Sequence, residues 1–364
     1  MKSIFESIEE RNLPKILGKS FDFSLTPDGF EKRRRELLAL LEQHEYGAMP
    51  PKPEHLTVDT LEVDTGFSAG KAVLARLSFT VTLENGAFTF PVTSVIPKVR
   101  KKVPAFVHIA FRDDIPDKYL PAEEIADCGF AVFNLCYEDL TSDSGDFKNG
   151  IARLLSPNRR ALSSTGKLAM WAWAAMRVMD YVQALDEIDT ENVAVIGHSR
   201  LGKAALLAGA FDERFKYVIA NDSGCSGAAV TRGKHGENIA EITAKFPYWF
   251  CPRYHKYAAN EDALPCDQHF LLAAIAPRHI LIGSAKEDVW ADPESEFISA
   301  CLAGEVYERI YGIKGLVHNG EIPKSATVLS EGNIHYHLRD GLHYFSREDW
   351  TAYINYINKH MKNR

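Results

Sequence analysis

One serine in this sequence has the surroundings of a nucleophile. Ser199 lies in Val193-Ala-Val-Ile-Gly-His-Ser-Arg-Leu-Gly-Lys203, followed by Ala204-Ala-Leu-Leu-Ala-Gly-Ala210. Small and β-branched apolar residues run into a glycine, then a polar trio, a second glycine and an alanine-rich run. That pattern predicts a buried strand, a sharp turn and a helix. A serine at such an apex exposes its Oγ, and the first N–H groups of the helix point at the place where an oxyanion would form. The spacing is Gly-x-Ser-x-x-Gly, from Gly197, Ser199 and Gly202, with Leu201 where the commoner Gly-x-Ser-x-Gly pattern has its second glycine. A serine that merely caps the helix is the alternative use of this pattern.

A serine nucleophile needs a base to take its proton and an acid to orient that base. His343, in Arg339-Asp-Gly-Leu-His343, follows the last predicted strand and precedes a terminal amphipathic helix, which suits the base. His335 and His337 alternate on that strand and share a face, but no third metal ligand accompanies them, so packed strand histidines are expected. His269, in Pro265-Cys-Asp-Gln-His269, reads as a buried structural histidine. Two carboxylates compete for the acid. Asp288, in Lys286-Glu-Asp-Val-Trp-Ala-Asp-Pro293, follows the penultimate parallel strand, with Glu287 and Asp292 as close neighbours. Asp222, in Asn221-Asp-Ser-Gly224, follows the strand after the elbow helix. The Arg200 N–H and one near Phe111–Arg112 are the expected oxyanion donors. The Arg200 side chain can add a further donor, and its charge is otherwise unfavourable at a helix N-terminus.

These residues must be positioned by a sheet. Residues 56–63, 72–81 and 87–95 alternate in period two, with Glu84-Asn-Gly86 as a turn, and predict an antiparallel meander. From 103 the pattern changes to continuous apolar strands, at 103–111, 130–136, 193–196, 217–220, 279–282 and 333–338. Helical patterns fall between or after them at 119–127, 161–185 and 347–361. Strands alternating with helices imply an α/β fold with a mainly parallel sheet covered on both faces. With the nucleophile on an elbow and Ser, acid and His in that chain order, this is the α/β-hydrolase arrangement, preceded by antiparallel strands. Residues 1–55 read as an N-terminal helical extension, with a helix near 29–45 before Pro50-Pro51, and 56–364 as the catalytic domain.

Composition narrows the functional classes. The 364 residues are 46% apolar and 25% charged, with net charge −7, an ordinary globular balance. Lys32-Arg33-Arg34-Arg35 is the main basic cluster and reads as the solvated face of an amphipathic helix, so no nucleic-acid partner is expected. No apolar run is long enough for a membrane span. The N-terminus has no apolar leader segment, which suggests a cytoplasmic protein unless a leader was removed. Six widely spaced cysteines without Cys-x-x-Cys suggest free thiols.

Gly197-His-Ser-Arg-Leu-Gly-Lys203 resembles the Gly-Cys-Ser-Arg-x-Gly-Lys motif of the glucuronoyl esterases and of related bacterial enzymes labelled acetylxylan esterases. Trp171-Ala-Trp-Ala-Ala-Met-Arg-Val-Met-Asp180, Asn221-Asp-Ser-Gly-Cys-Ser-Gly-Ala-Ala229, Arg232, Gly236-Glu237, Tyr248-Trp-Phe250, Leu264-Pro-Cys-Asp-Gln-His269, Ala276-Pro-Arg278 and Asp288-Val-Trp-Ala-Asp-Pro293 continue the series over roughly 100–350. The resemblance implies Ser199 as nucleophile, His343 as base, Arg200 as oxyanion contributor, Asp222 or Asp288 as acid, and Lys203 and Trp290 as sugar contacts. It departs at His198, which stands at the motif cysteine. Ala240 and Phe246 also depart, standing where fungal members carry a sugar-binding Gln and Glu. The expected activity is a metal- and cofactor-independent serine esterase acting on a small or oligosaccharide ester, either a glucuronoyl or an acetyl ester. The competing expectations are a small-ester, lactone or peptide hydrolase of the same fold, or a non-catalytic sugar-binding protein built on it.

Overall fold

The computed structural model describes residues 3–17 and 25–361. Its centre is a sheet formed by β1 (His55–Asp64), β2 (Ala72–Leu83), β3 (Gly86–Pro97), β4 (Val103–Ala110), β5 (Ala131–Cys136), β6 (Ile188–His198), β7 (Tyr217–Asn221), β8 (His279–Ala285), β9 (Thr327–Leu329) and β10 (Ile334–Arg339). The spatial order is β1-β2-β3-β5-β4-β6-β7-β8-β10-β9. β4 to β8 and β10 run parallel. The β1–β3 meander joins β5 antiparallel, and β9 closes the far edge antiparallel to β10. This is the mainly parallel α/β-hydrolase sheet with antiparallel N-terminal strands.

Burial follows from residue type. β4, β5 and β7 are buried at every position, because helices cover both of their faces and leave no side for a polar residue. β1 lies at the outer edge and is exposed along most of its length. On one face, helices Lys167–Val182 and Arg200–Phe211 pack Trp171, Trp173 and Leu206 against Val107 and Val195. On the other, helix Arg347–Met361 packs Trp350, Tyr353 and Ile357 against Phe106 and Ile196. Neighbouring residues of β4 and β6 therefore serve opposite cores, as the period of a strand requires.

The helix expected at 161–185 begins only at Lys167. The residues before it have their backbone groups engaged elsewhere: Gly166 N–H donates to the Tyr46 carbonyl (2.9 Å) and Ala48 N–H to the Ser163 carbonyl (3.0 Å). The N-terminal helix runs Pro27–Leu41, capped by Thr26, and continues as one wide turn over Glu42–Tyr46. Its Phe30, Leu37 and Leu41, with Tyr46, join the same apolar core as Trp171. Behind them Tyr46 donates to Gln268 (2.9 Å), whose amide donates to the buried Glu45 carboxylate (2.9 and 3.0 Å). The basic cluster corrects the sequence expectation. Arg33 and Arg34 are buried rather than solvated. Arg33 donates to the Ile16 carbonyl (2.9 Å), and Arg34 donates to the Ala274 carbonyl (2.7 Å) and pairs with Glu213. A guanidinium has enough donors to satisfy carbonyls while its stem packs on apolar surface, so a charged run can face inward. No helix among the described residues is long and apolar enough to cross a membrane.

Candidate active site

Ser199 sits between the end of β6 and helix Arg200–Phe211, with φ 57° and ψ −127°. A non-glycine residue at positive φ stores on the order of 1–3 kcal/mol and persists only where its surroundings hold it. Here the Ser199 N–H donates to the Asn221 carbonyl (2.8 Å), and the Gly202 N–H donates to the Ser199 carbonyl (2.9 Å). The close approaches explain the unusual spacing. A Cβ at Gly197 would lie 2.2 Å from the Leu201 carbonyl oxygen, and one at Gly202 would lie 3.1 Å from the Gly197 carbonyl oxygen. Leu201 meanwhile points its side chain into the core and is fully buried. Glycine therefore suits 202, where helix and strand backbones meet closely, and is not needed at 201.

His343 lies in the irregular segment between β10 and the last helix. Its Nδ1 is 2.6 Å from Asp288 Oδ2. With Nδ1–H donated to Asp288, Nε2 is the acceptor nitrogen. The other oxygen of Asp288 accepts from the Ala291 N–H (3.2 Å). Burial pushes the Asp288 carboxyl up, but the His343 hydrogen bond and charge and the Ala291 N–H outweigh it and hold the group below its usual range. The neighbouring acids are otherwise employed. Glu287 accepts from the Gly341 N–H, and Asp292 caps helix Pro293–Tyr311 while accepting from the His235 N–H (2.8 Å).

Asp222, also at positive φ (44°), does not hydrogen-bond to His343. Its Oδ2 accepts from Arg339 Nη2 (3.2 Å) and from the Tyr344 N–H (3.4 Å), while its buried Oδ1 has no partner among the described residues. Burial, reinforced by Glu296, raises its carboxyl well above the usual range despite Arg339. Arg339 also donates to Asp349 (3.0 and 3.1 Å) and to the carbonyls of Asp340, Leu342 and Tyr344, so one buried guanidinium ties down the segment that carries His343. Asp349 in turn bonds His337 Nε2 (2.8 Å), His337 bonds His335 (3.0 Å), and His335 bonds Ser330 (2.9 Å). The paired strand histidines are thus links in a buried structural chain, and His269 is likewise buried, with Nε2 2.7 Å from the Pro14 carbonyl oxygen.

Arg200 extends from the elbow to pair with Asp143. Its guanidinium lies 4.8 Å from the Trp249 ring centre and 5.1 Å from that of Phe246, and those two rings stack at 3.9 Å. Asp143 also accepts from Trp249 Nε1 (2.7 Å) and Tyr137 (3.3 Å), and its carbonyl accepts from Tyr248 (2.8 Å). The arginine's charge at a helix N-terminus is thereby compensated. Asp143 escapes sequence reasoning, because Ser142-Asp-Ser-Gly145 looks like any polar turn. Phe111, just past β4, sets its ring 5.8 Å from the Arg200 guanidinium, while Arg112 pairs with Asp117 (2.6 Å). Lys203 is buried one turn beyond the serine and donates to the carbonyls of Ser223 and Cys225 (2.6 Å to the latter). Burial lowers its pKa.

Ser199, Arg200, Lys203, Asp222, Asp288, Trp290 and His343 all line one cavity of about 370 Å³, with Glu237, Lys245, Phe246 and Trp249 completing its wall. The cavity opens at the carboxyl ends of β6, β7, β8 and β10, where ligands of open α/β sheets bind. Trp290 is 44% exposed, its carbonyl accepts from the Glu237 N–H (3.0 Å), and Lys245 lies 4.8 Å from the centre of its ring. His198, Asp222 and His343 bring one metal-ligating atom each within 4.8 Å of one another, the one such group among the described residues. The Nδ1 atoms of both histidines are engaged, with Asn221 (2.7 Å) and Asp288.

A family model described as glucuronyl esterase of fungi matches residues 79–311. The chain belongs to the glucuronoyl esterase family. A carbohydrate esterase from an unknown prokaryotic organism is 42% identical over 64% of this chain and 54% of its own length. The 4-O-methyl-glucuronoyl methylesterase of Hypocrea jecorina is 30% identical over 75% of this chain and 56% of its own. The chain thus spans about half the length of these curated relatives. Among solved structures, a glucuronoyl esterase from Solibacter usitatus superposes with a TM-score of 0.87, 30% identical, covering 95% of this chain and 97% of that one. A promiscuous CE15 esterase from a marine bacterial metagenome gives 0.86 at 31% identity, covering 96% and 97%. The elbow and Asp288 lie inside the matched segment, and His343 lies 32 residues beyond its end.

Proposed function

We propose that this chain is a serine carboxylic-ester hydrolase acting on a carbohydrate ester of the glucuronoyl or acetyl type. The observation that carries the proposal is the convergence on one cavity of a serine at positive φ and an imidazole whose Nδ1 is tied to a carboxylate. In this mechanism His343 Nε2 takes the Ser199 proton as Oγ attacks the ester carbonyl. Asp288 holds the tautomer and stabilises the imidazolium. The Arg200 N–H at the head of its helix receives the developing oxyanion, and the guanidinium on Asp143 adds positive field beside it. His343 then returns the proton to the departing alkoxide, and water releases the acyl group by the same steps in reverse.

Asp222 acts as a second carboxylate near the base, and Lys203 and Trp290 serve as polar and flat apolar contacts for a pyranose. The family membership supports the substrate class. Phe246 offers a ring in place of a hydroxyl-binding carboxylate, so ester class is decided by assay. Benzyl glucuronate, acetylated xylo-oligosaccharides and p-nitrophenyl acetate are given to the wild type and to Ser199→Ala. Hydrolysis by the wild type with a loss on the order of 10⁴-fold or more in the variant is expected. Activity retained in Ser199→Ala overturns the mechanism.

A further inference from the structure

We propose that His198 is a positioning residue, the face of its ring forming the rest against which the His343 imidazole is held in line with Ser199. The inference depends on the proposed role of His343 as base. It starts from how little else secures that ring. His343 is 43% exposed at its side chain, on an irregular segment, and its imidazole has one hydrogen-bond partner, Asp288. One hydrogen bond at Nδ1 fixes the tautomer but leaves the ring able to tilt about the bond, and tilting moves Nε2 away from Oγ. A contact against the face of the ring removes that freedom.

His198 supplies the contact. Its ring centre is 4.6 Å from that of His343, with 38° between the planes. His198 is itself held from several directions. It ends β6 and is buried, and its Nδ1 lies 2.7 Å from Asn221 Oδ1. Phe345 stacks on it at 5.7 Å and 16°, and Tyr119 meets it edge-on at 5.1 Å. It also directly precedes Ser199, so the rest for the base and the nucleophile are carried by adjacent residues. Burial, then the neighbouring His343, pushes the His198 pKa down to about 3. The imidazolium that forms on His343 therefore meets a neutral aromatic face and not a second cation. The related motif has cysteine here, which offers no ring face.

The test uses the full chain with His198→Phe, His198→Asn and His198→Ala, compared for the rate of Ser199 labelling by a fluorophosphonate and for kcat and KM on p-nitrophenyl acetate. His198→Phe keeps the ring face and loses the bond to Asn221, and is expected to stay within about threefold of wild type. His198→Asn keeps a polar partner for Asn221 without a face, and His198→Ala keeps neither. Both are expected to label and turn over about 10- to 100-fold more slowly, with KM nearly unchanged, as for a catalytic group displaced by a fraction of an ångström. His198→Asn carries the test even if phenylalanine is not accommodated. Wild-type rates in His198→Asn, or equal losses in Phe and Asn variants that both keep the wild-type urea midpoint, overturn the proposal alone. A wild type that the probe does not label overturns the nucleophile assignment with it.

Discussion

At Ser199 the restraints come from the main chain: an N–H donated to Asn221, a carbonyl accepting from Gly202, and two glycines where backbones touch. At His343 they come from side chains: Asp288 at Nδ1 and His198 against the ring, both distant in sequence, and nearby Arg339 gathering three carbonyls of the segment. Ser199, the proposed nucleophile, is thus held by the way strand and helix meet, and His343, the proposed base, by a built cluster. A backbone device tolerates changes to its side chains but not to its glycines. A side-chain device fails wherever one partner is removed. Substitutions on the two sides should behave differently.

The largest effect is expected where a side-chain restraint acts directly on the base. Asp288→Asn should lower kcat about 10³- to 10⁴-fold with the fold intact, because the amide favours the wrong tautomer. Asp222→Asn, whose parent carboxylate touches Arg339 and not His343, should cost less than about tenfold. Steady-state kinetics on both variants and the double variant test this, and a few-fold loss in each would remove both acids from the mechanism. Next comes Arg339→Met, which strands the buried Asp222 and Asp349 carboxylates. It should destabilise by about 3–5 kcal/mol, read as a lower urea midpoint, and should slow turnover further by loosening the His343 segment. On the serine side, Gly197→Ala drives a Cβ against the Leu201 carbonyl and should cost about 3 kcal/mol. Leu201→Met, on the same turn, should cost less than about 1.5 kcal/mol, because its side chain only fills core.

Stability also carries a slope with pH. Four buried histidines are held neutral chiefly by burial: His108 down to about 4, His198 down to about 3, His335 well below its usual value and His269 below it. Their folded pKa values lie below the unfolded one near 6.5, so the unfolded chain binds more protons between roughly pH 6.5 and 4. The stability they contribute is complete above that window and is lost as pH falls through it, by roughly a kcal/mol and a half per pH unit for each group fully titrating in the unfolded chain. Urea unfolding at pH 7, 6 and 5 measures the slope. His198→Phe should remove one group's share of the slope, which separates its role in stability from its role in positioning.

Much of the site was legible because its residues follow strands. Ser199, Asp222, Asp288 and His343 each come just after a parallel strand, and the carboxyl ends of parallel strands lie at one edge of the sheet, so sequence order alone brings them together. Asp143 and Arg339 were not legible as parts of the site. One is a turn residue that meets Arg200 across 57 positions, and the other looks like the end of a strand until its guanidinium is seen bonding Asp222 and Asp349. The buried Arg33 and Arg34 show the same limit. Periodicity says which face of a helix they share, but their carbonyl partners come from other parts of the chain.

The sequence by itself determined the alternation of strand and helix, the elbow and the order of serine, acid and histidine, because these depend on local pattern and chain direction. Only the tertiary structure shows which of the two carboxylates bonds His343. Asp222 and Asp288 both follow parallel strands at the same edge of the sheet. His343 bonds Asp288, whereas Asp222 turns one oxygen to Arg339, a charge from a different strand, and holds the other buried and unpaired among the described residues.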